Sequence, residues 1–318
     1  MSIRAALFLA VLSTAAHADV YPSRPIRFVV AFPPGGGTDI IARSIAQKLS
    51  ERVSQQVLVD NRPGAGGNIG TEIVAKSAPD GYTMLMGSAG PLAINASLFK
   101  TMPFDPQRDL APITLAASTP NVLVVHPSLN VATVGELVAL AKKSPGKINF
   151  ASSGFGTPAH LAGELFNSMA GVKLVHVPYK GASPALADLL GGQVQLMFST
   201  MPPALPHVKD GKLRALAVTS AKRSPAAPDL LTLDEAGLPG FEANTWHGVV
   251  LPAGASAEVI AKLNREIVAI LHLPDVVERL SAQGAEPVGS TPEEFAAYIR
   301  SETAKWAKVV RESGAKAE

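Results

Sequence analysis

Three consecutive glycines at a predicted helix start are the residues of this sequence best suited to binding chemistry. Residues 28–39 read Phe-Val-Val-Ala-Phe-Pro-Pro-Gly-Gly-Gly-Thr-Asp, an apolar run followed by a turn, the glycines and a capping pair. Glycines allow neighbouring backbone N–H groups to turn toward one point, and a helix N-terminus adds positive potential there. The segment therefore predicts a site that holds an anion without a charged side chain. The alternative is a tight strand-to-helix turn that binds nothing.

A second segment, residues 149–160, repeats this order later in the chain. It reads Asn-Phe-Ala-Ser-Ser-Gly-Phe-Gly-Thr-Pro-Ala-His: a strand end, a loop of small residues, a threonine and a helix start. If the two segments lie in separate lobes, two helix N-termini face each other across a cleft. Such a pair is suited to holding a carboxylate from both sides.

The first glycine segment does not fit a nucleotide-binding motif. Counted from Gly35, the sixth position of G-x-G-x-x-G is Ile40, and no lysine follows the glycines as a phosphate loop requires. Asp60, at the end of the next predicted strand, does resemble in position the ribose-binding acid of a dinucleotide fold. Without the glycine fingerprint, that coincidence does not indicate a nucleotide site.

Four further loops at predicted strand ends carry glycines or small polar residues. In residues 64–71, packing at a helix start is the favoured role. Residues 86–91 could line a cleft through the Ser88 hydroxyl, and the loops 178–184 and 198–203 hold similar positions later in the chain. Strand ends of this composition are where α/β proteins place ligand contacts.

Catalytic and metal-binding patterns do not assemble around these segments. No serine lies in G-x-S-x-G, and H-E-x-x-H does not occur. His160 and Glu164 lie four residues apart on one helix face and could bind a metal with His176. A capping or solvent-facing role is the preferred interpretation of that pair. The sequence thus indicates neither an enzyme nor a cofactor.

Short β-branched runs alternate with helical patterns, which is typical of an α/β protein. In residues 39–53, for example, Ile41, Ile45, Leu49 and Val53 form one apolar stripe. Strands are predicted at residues 26–31, 57–60, 83–87, 122–126, 148–151, 174–177, 194–198, 213–219 and 246–251. Helices are predicted at residues 39–53, 134–143, 159–170, 184–190, 258–271 and 292–312.

The length of the chain predicts two lobes, because 318 residues exceed the size at which one core usually keeps growing. Residues 112–120 and the segment 222–239, rich in proline and alanine, are predicted to connect them. With two crossings, residues 19–118 and 223–318 form lobe 1, and residues 119–222 form lobe 2. A ligand cleft is expected between the lobes.

The N-terminus, residues 1–18, is predicted to be an export signal cleaved near Ala18. Arg4 precedes an apolar run at residues 5–12, and Ala16 and Ala18 flank the expected cleavage site. The apolar run is shorter than the roughly 20 residues that span a bilayer. The alternative is an N-terminal core helix.

Composition narrows the class of protein further. The absence of cysteine excludes disulfides, thiolate metal sites and cysteine catalysis. A hydrophobic content of 47% with only 17% charged residues is typical of a well-packed globular protein. A net charge of +2 with scattered lysines and arginines argues against a nucleic-acid partner. A monomer is the default expectation.

Taken in order, these motifs resemble the substrate-binding proteins of tripartite tricarboxylate transporters, the Bug family. The resemblance rests on residues 25–39 and on Val-Asp-Asn-Arg-Pro-Gly-Ala-Gly-Gly-Asn-Ile-Gly at 59–70. It continues in Pro-Asp-Gly-Tyr-Thr at 79–83, Val-Pro-Tyr-Lys-Gly at 177–181 and Trp-His-Gly at 246–248. It covers essentially the whole chain after the export signal.

The resemblance implies a two-lobed periplasmic binding protein, type 2-like, in which backbone amides and ordered water from one loop per lobe hold a carboxylate. Carried over, the first loop supplies Phe32, Gly35, Gly36, Gly37, Thr38 and Asp39. The second loop supplies Gly154, Phe155, Gly156, Thr157 and His160. The rest of the ligand is expected to contact Ser88, Ala182, Ser183 and Ser199.

The function implied by the resemblance is capture of a small acid in the periplasm for membrane-embedded transporter subunits. Di- and tricarboxylates, aromatic acids and related small acids are the expected ligands. Two other functions stay open: a secreted hydrolase that uses the same cleft, and a ligand-gated subunit that signals to a membrane sensor.

Overall fold

The computed structural model describes residues 21–282, 284–313 and 315, so the predicted export signal at residues 1–18 lies outside the described residues. None of the described helices is both long and apolar enough to cross a membrane. The strands are β1 (Ile26–Val30), β2 (Val57–Asn61), β3 (Thr83–Ser88), β4 (Leu110–Thr119), β5 (Asn121–Val125), β6 (Asn149–Ser152), β7 (Val175–Pro178), β8 (Leu196–Thr200), β9 (Arg214–Val218), β10 (Thr245–Pro252) and β11 (Glu286–Pro287). The α-helices are α1 (Gly37–Val53), α2 (Asn68–Ala75), α3 (Asn95–Leu98), α4 (Val134–Lys143), α5 (Pro158–Ala170), α6 (Ala182–Leu190), α7 (Met201–Lys209), α8 (Ala257–Leu271), α9 (Pro274–Ser281) and α10 (Pro292–Ser313).

The strands form two mixed sheets, and the predicted α/β class is confirmed. The first sheet has the order β11-β4-β10-β3-β1-β2, and the second has the order β7-β6-β8-β5-β9. In the first sheet β1 runs parallel to β2 and β3, whereas β10 runs antiparallel to β3 and β4. In the second sheet β6 runs parallel to β7 and β8.

Most of the segment predicted as a connection, residues 112–120, belongs to β4, and only its last residue, Pro120, lies between the two sheets. Pro112 cannot donate a ladder hydrogen bond, and it lies opposite Val250 where the pairing with β10 shifts register. Only Pro120 separates β4 from β5, so the chain passes from one sheet to the other within a single residue.

The chain returns to the first sheet between β9 and β10, and the two passages are tied together. The backbone N–H of Asn121 donates to Thr219 Oγ1 at 2.9 Å, and that of Thr219 donates to the Asn121 carbonyl at 2.8 Å. The side-chain amide of Asn121 donates to the Ala243 carbonyl at 2.8 Å. We propose on this topology that each sheet forms one lobe, with the boundaries given above.

Strand β1 is buried on both faces, so its alternating side chains fix helices on either side of the first sheet. Phe28 and Val30 share a core with Ile41 and Ile45, two residues of the predicted apolar stripe on α1. Val29 contributes to a different core, which it shares with residues of α2 and α10. The loop after β1 therefore starts from a strand held on both sides.

Helix α10 is joined to the first sheet by a buried carboxylate. Glu302 accepts hydrogen bonds from the indole nitrogens of Trp246 at 2.8 Å and Trp306 at 2.9 Å, and all three side chains are buried. Lys305 Nζ lies 3.3 Å from the other oxygen of the same carboxylate. Since α10 also packs against α5, this helix contacts elements of both sheets.

Replacing Glu302 with alanine should lower the free energy of unfolding by about 3 kcal/mol, because two buried indole N–H groups lose a charged acceptor. Glu302→Gln keeps a carbonyl oxygen that can accept both bonds, and we expect it to lose less than half as much. Urea unfolding followed by tryptophan fluorescence measures both values. Equal losses in the two variants would show that the acceptor atom is not what stabilises this contact.

Candidate functional site

A cavity lies at the carboxyl ends of parallel strands from both sheets, the edge at which α/β proteins bind ligands. Its volume is about 40 Å³. It is lined by Phe32, Gly36, Gly37, Thr38, Ser88, Asn121, Ser153, Thr157, Pro158, Ala159, Ala182, Met197, Phe198, Thr200, Thr245 and His247. None of these residues is an acid, a lysine or an arginine, so the described wall of the cavity is polar without a fixed charge.

The loop between β1 and α1 is held in shape by one buried carboxylate. Asp39 Oδ2 accepts hydrogen bonds from the N–H of Gly35 and from Arg43 Nε, both at 2.9 Å. Asn61 Nδ2 donates to Asp39 Oδ1 and to the Phe32 carbonyl, again at 2.9 Å. Burial acts to raise the pKa of Asp39, but the bonds from Arg43, Gly35 and Asn61 together hold that pKa below its usual value.

Helix α1 begins at the cavity wall with its first amide groups uncapped by a side chain. Its N-cap residue is Gly36, which has no side chain to accept them, and the first intrahelical bond runs from Ile40 N–H to the Gly36 carbonyl at 3.0 Å. Of the three glycines only Gly35 has a positive φ, at 79°. A Cβ on Gly37 would lie 2.8 Å from Thr200 Oγ1, so the missing side chain is what lets α1 approach the second sheet.

Helix α5 begins at the opposite sheet and also reaches the cavity. Its N-cap residue, Thr157, accepts from the His160 N–H through Oγ1 at 3.4 Å and donates to the Gly154 carbonyl at 2.7 Å. Pro158 and Ala159, the first two helical residues, line the cavity. Two helix N-termini, one from each sheet, therefore meet at this cavity, as the two glycine segments predict.

Glycines let the loops of the two sheets approach each other backbone to backbone. A Cβ on Gly66 would collide with the Phe155 carbonyl oxygen. A Cβ on Gly90 would lie 3.0 Å from the Gly156 carbonyl oxygen. Residues 64–71, for which helix-start packing was the favoured role, thus also contact the second glycine segment.

A third contact between the sheets lies beside the Pro-Pro turn. Ser183 Oγ donates to the Pro34 carbonyl at 2.7 Å, and a Cβ on Gly181 would collide with the Pro33 ring. Ser183 therefore ties the second sheet to the first loop, and its contact with a ligand stays a prediction.

Behind the second glycine segment lies a stack of two histidines. The rings of His160 and His176 are 4.0 Å apart at 16°, and His160 Nδ1 accepts from the Gly156 N–H at 3.3 Å. His176 Nε2 lies 2.6 Å from Ser152 Oγ. Burial lowers the pKa of His160 to about 4. Burial, and repulsion from His160 once that ring is protonated, lower the pKa of His176 to about 3. Both rings are neutral at pH 7 and support the loop from behind.

Glu164 lies beside this stack, with its carboxylate 3.8 Å from His160 Nε2. Burial raises the pKa of Glu164. Within the described part of the chain, His, Asp and Glu side chains nowhere gather in a group of three or more suited to a metal ion.

Seven of the fifteen predicted substrate-binding residues line the cavity. They are Phe32, Gly36, Gly37, Thr38, Ser88, Thr157 and Ala182. The other eight lie outside its lining: Gly35, Asp39, Gly154, Phe155, Gly156, His160, Ser183 and Ser199.

The residues outside the cavity shape the loops instead. Asp39 and His160 accept backbone N–H groups, and Ser199 Oγ donates to the Thr200 carbonyl at 3.0 Å. Gly154 and Phe155 line a neighbouring groove of about 300 Å³, which shares Phe32 and Ser153 with the cavity and carries Lys180. Direct contact of the eight residues outside the cavity lining with a ligand stays a prediction.

Nine residues of the cavity lining were not predicted. They are Asn121, Ser153, Pro158, Ala159, Met197, Phe198, Thr200, Thr245 and His247. Ser153, Pro158 and Ala159 lie inside the second glycine segment, and His247 lies in the Trp-His-Gly motif. Phe198 and Thr200 lie in the strand-end loop 198–203, so a sequence signal existed for these six. Asn121 is the first residue of β5 and Thr245 is the first residue of β10, the two strands that follow the passages between the sheets. No local sequence pattern marks either residue.

Comparisons with known proteins give a consistent result across the chain. A family model described as tripartite tricarboxylate transporter family receptor matches residues 41–315. The chain is 44% identical to Protein BugT of Bordetella pertussis over 313 residues, which covers 98% of this chain and 96% of BugT.

Solved structures agree with that match. The R. palustris protein Rpa4515, solved with adipate, is 40% identical with a TM-score of 0.91, covering 92% of this chain and 98% of its own. MatC from Rhodopseudomonas palustris, solved with bound malate, is 32% identical with a TM-score of 0.87, covering 91% of this chain and 100% of its own.

The free energy of unfolding should fall as the pH drops from about 6.5 toward 4. The unfolded chain protonates its histidines near pH 6.5, whereas the folded protein keeps His160, His176 and His247 neutral, because burial lowers the pKa of each. Each such histidine contributes a slope of up to about 1.4 kcal/mol per pH unit. Glu164, with its raised pKa, opposes part of this slope.

His176→Phe keeps a planar ring between Phe150 and His160 but removes one titrating group. Urea unfolding between about pH 6.5 and pH 5 should therefore give a shallower slope for this variant than for the unmodified protein. Identical slopes would mean that His176 does not stay neutral in the folded state.

Proposed function

This chain belongs to the tripartite tricarboxylate transporter family of receptors, and we propose that it captures a small carboxylate and presents it to a membrane transporter. The family resemblance predicted from residues 25–39 and 59–70 is confirmed by the family model and the curated relatives. Members of this family are solute-binding proteins. The proposal assigns this chain the same class of activity at the cavity between its sheets.

The observation that carries the proposal is the meeting of two helix N-termini at one cavity. The first turn of α1, with Gly37 and Thr38, and the first turn of α5, with Pro158 and Ala159, both line it. Each N-terminus is equivalent to about half a positive charge, which acts over the first turn only. A carboxylate between them would be favoured from both sides, and its oxygens could accept backbone N–H groups.

The absence of lysine and arginine from the described cavity wall supports recognition by the backbone. A buried carboxylate that loses its hydration needs several hydrogen-bond donors in return. Uncapped amides of α1 and the hydroxyls of Thr38 and Thr200 are donors of this kind. A neutral ligand of the same shape would gain less from the two helix N-termini.

The ligands in two related structures are carboxylates, which supports a carboxylate as the ligand of this chain. Rpa4515 was solved with adipate and MatC with malate, both small organic acids. Their overall folds match this chain at TM-scores of 0.91 and 0.87. We infer a small acid of similar size for this chain.

The proposed setting is the periplasm. Residues 1–18 have the pattern of an export signal, and we propose cleavage near Ala18. The loaded monomer would then deliver its ligand to membrane-embedded transporter subunits, without chemical change of the ligand.

We propose that the seven predicted residues in the cavity lining contact the ligand, together with Ser153, Ala159 and Thr200. Asp39 and His160 act on the ligand only through the loops that they hold. The groove beside the cavity carries Lys180, which would attract an anion toward the cavity mouth.

Small acids should raise the thermal unfolding midpoint of residues 19–318, whereas their amides should not. A ligand at about 100 times its dissociation constant adds roughly 2.7 kcal/mol of stability. The protein is first unfolded and refolded to remove any ligand that copurifies. Mass spectrometry after incubation should recover both the acid and its amide unchanged, and hydrolysis of the amide to the acid would support the hydrolase alternative. Stabilisation by the amides, with none by the acids, would contradict the carboxylate site.

Gly37→Ala should weaken binding of any acid found in this way at least tenfold. The new Cβ would lie 2.8 Å from Thr200 Oγ1 and 3.3 Å from Thr200 Cβ, so α1 must move away from the second sheet. Alanine favours a helix more than glycine does, which offsets part of the cost of this contact, so the variant should still fold. Isothermal titration calorimetry measures the affinity.

Gly135→Ala is the matched control, because Gly135 lies in the first turn of α4 and its nearest neighbour, Thr133 Oγ1, would be 3.9 Å away. It should bind as the unmodified protein does. Undiminished affinity in Gly37→Ala would remove the start of α1 from the binding site.

A further inference from the structure

His247 is a buried ring that faces the cavity without a partner. Its exposed fraction is 1%, and it lines the cavity from strand β10. Neither Nδ1 nor Nε2 has a hydrogen-bond partner among the described residues. Burial lowers the pKa of His247 to about 3, so the ring is neutral and presents one N–H donor and one acceptor nitrogen.

Ser88 lies next to His247 and is likewise a buried polar residue without a hydrogen-bond partner among the described residues. In the antiparallel pairing of β3 and β10, His247 is directly opposite Ser88, so the two side chains lie on one face of the sheet. The exposed fraction of Ser88 is 2%, its Oγ has no partner among the described residues, and it too lines the cavity. Two neighbouring donors thus reach the cavity from adjacent strands.

Unpartnered polar groups of this kind are uncommon in protein interiors, because a desolvated group that makes no hydrogen bond destabilises the fold. Other polar residues of the same wall are already engaged. Thr245 Oγ1 donates to Asn121 Oδ1 at 3.0 Å, and Asn121 Nδ2 donates to the Ala243 carbonyl. On the side of the cavity formed by β3, β5 and β10, the unpartnered donors among the described residues are therefore His247 and Ser88.

We propose that His247 and Ser88 bind a second polar group of the ligand, and so select bifunctional acids over simple monocarboxylates. This inference rests on the proposed function, in which the starts of α1 and α5 hold the first carboxylate. The His247 N–H and the Ser88 hydroxyl both donate, so the second group is one that accepts hydrogen bonds. A second carboxylate and a hydroxyl share that chemistry.

A serine beside a histidine is also found in hydrolases, where an acidic group orients the histidine. Nδ1 of His247 has no such partner among the described residues. A neutral ring without an acid to orient it suits recognition of a ligand rather than proton transfer. The recovery of unchanged amide in the preceding experiment tests the same point.

The experiment compares acids of equal chain length that differ at one end. Butyrate, succinate and 4-hydroxybutyrate form one series, and hexanoate, adipate and 6-hydroxyhexanoate form a second. Calorimetric titration of the refolded protein should show at least tenfold tighter binding of a bifunctional acid than of the monocarboxylate in one series. The stronger of the two bifunctional acids identifies the second group as a carboxylate or a hydroxyl.

His247→Phe retains an aromatic ring but removes both nitrogens, and it should reduce that preference to less than threefold. Ser88→Ala should reduce it less, and His247→Gln, which keeps a donor and an acceptor, should restore part of it. His272→Phe is the matched control, because His272 is exposed and bonds only within the end of α8. It should keep the full preference.

The outcomes separate the two proposals. If acids bind but the monocarboxylate binds as well as its bifunctional partners, the role of His247 and Ser88 is overturned and the carboxylate site stands. The same holds if the preference survives in both His247→Phe and Ser88→Ala, since water alone then satisfies these groups. If no acid binds, the proposed function fails and this inference fails with it.

Discussion

The close approach of backbone to backbone between the two sheets is the constraint on which the rest of this structure depends. Gly66 contacts the Phe155 carbonyl, Gly90 contacts that of Gly156, and Gly37 leaves space for Thr200. At each of these positions a side chain would hold the sheets apart. Helix N-termini attract an anion only over their first turn, so a cavity without a charged wall needs both helices at short range.

Much of the remaining architecture serves to hold these loops still. Asp39 fastens the first loop through three groups, and the stacked rings of His160 and His176 support the second from behind. These buried titratable groups lie behind the backbone rather than in the cavity. The protein thereby keeps fixed charges away from the ligand while using buried polar side chains to orient neutral donors.

The residues that the sequence motifs predicted as ligand contacts fall into two groups: those that line the cavity and those that hold its loops. Those whose backbone or small side chain was the reason for the assignment, such as Gly37, Thr38 and Thr157, do reach the cavity. Asp39 and His160 were assigned from their place in the same motifs, yet their side chains bond to the loops themselves. A sequence motif contains both the residues that line the cavity and the residues that hold the loop in shape, and the motif alone does not distinguish the two.

The sequence by itself determined the α/β class, the family, most strand and helix positions and the two loops that start helices at the site. These features follow from local patterns, namely apolar periodicity, glycine runs and capping residues. Only the tertiary structure decided that β4 is a strand, that Asn121 and Thr245 line the cavity, and that His247 lies opposite Ser88. The physical reason is that strand pairing joins residues far apart in the chain, and its register depends on contacts that no local pattern encodes.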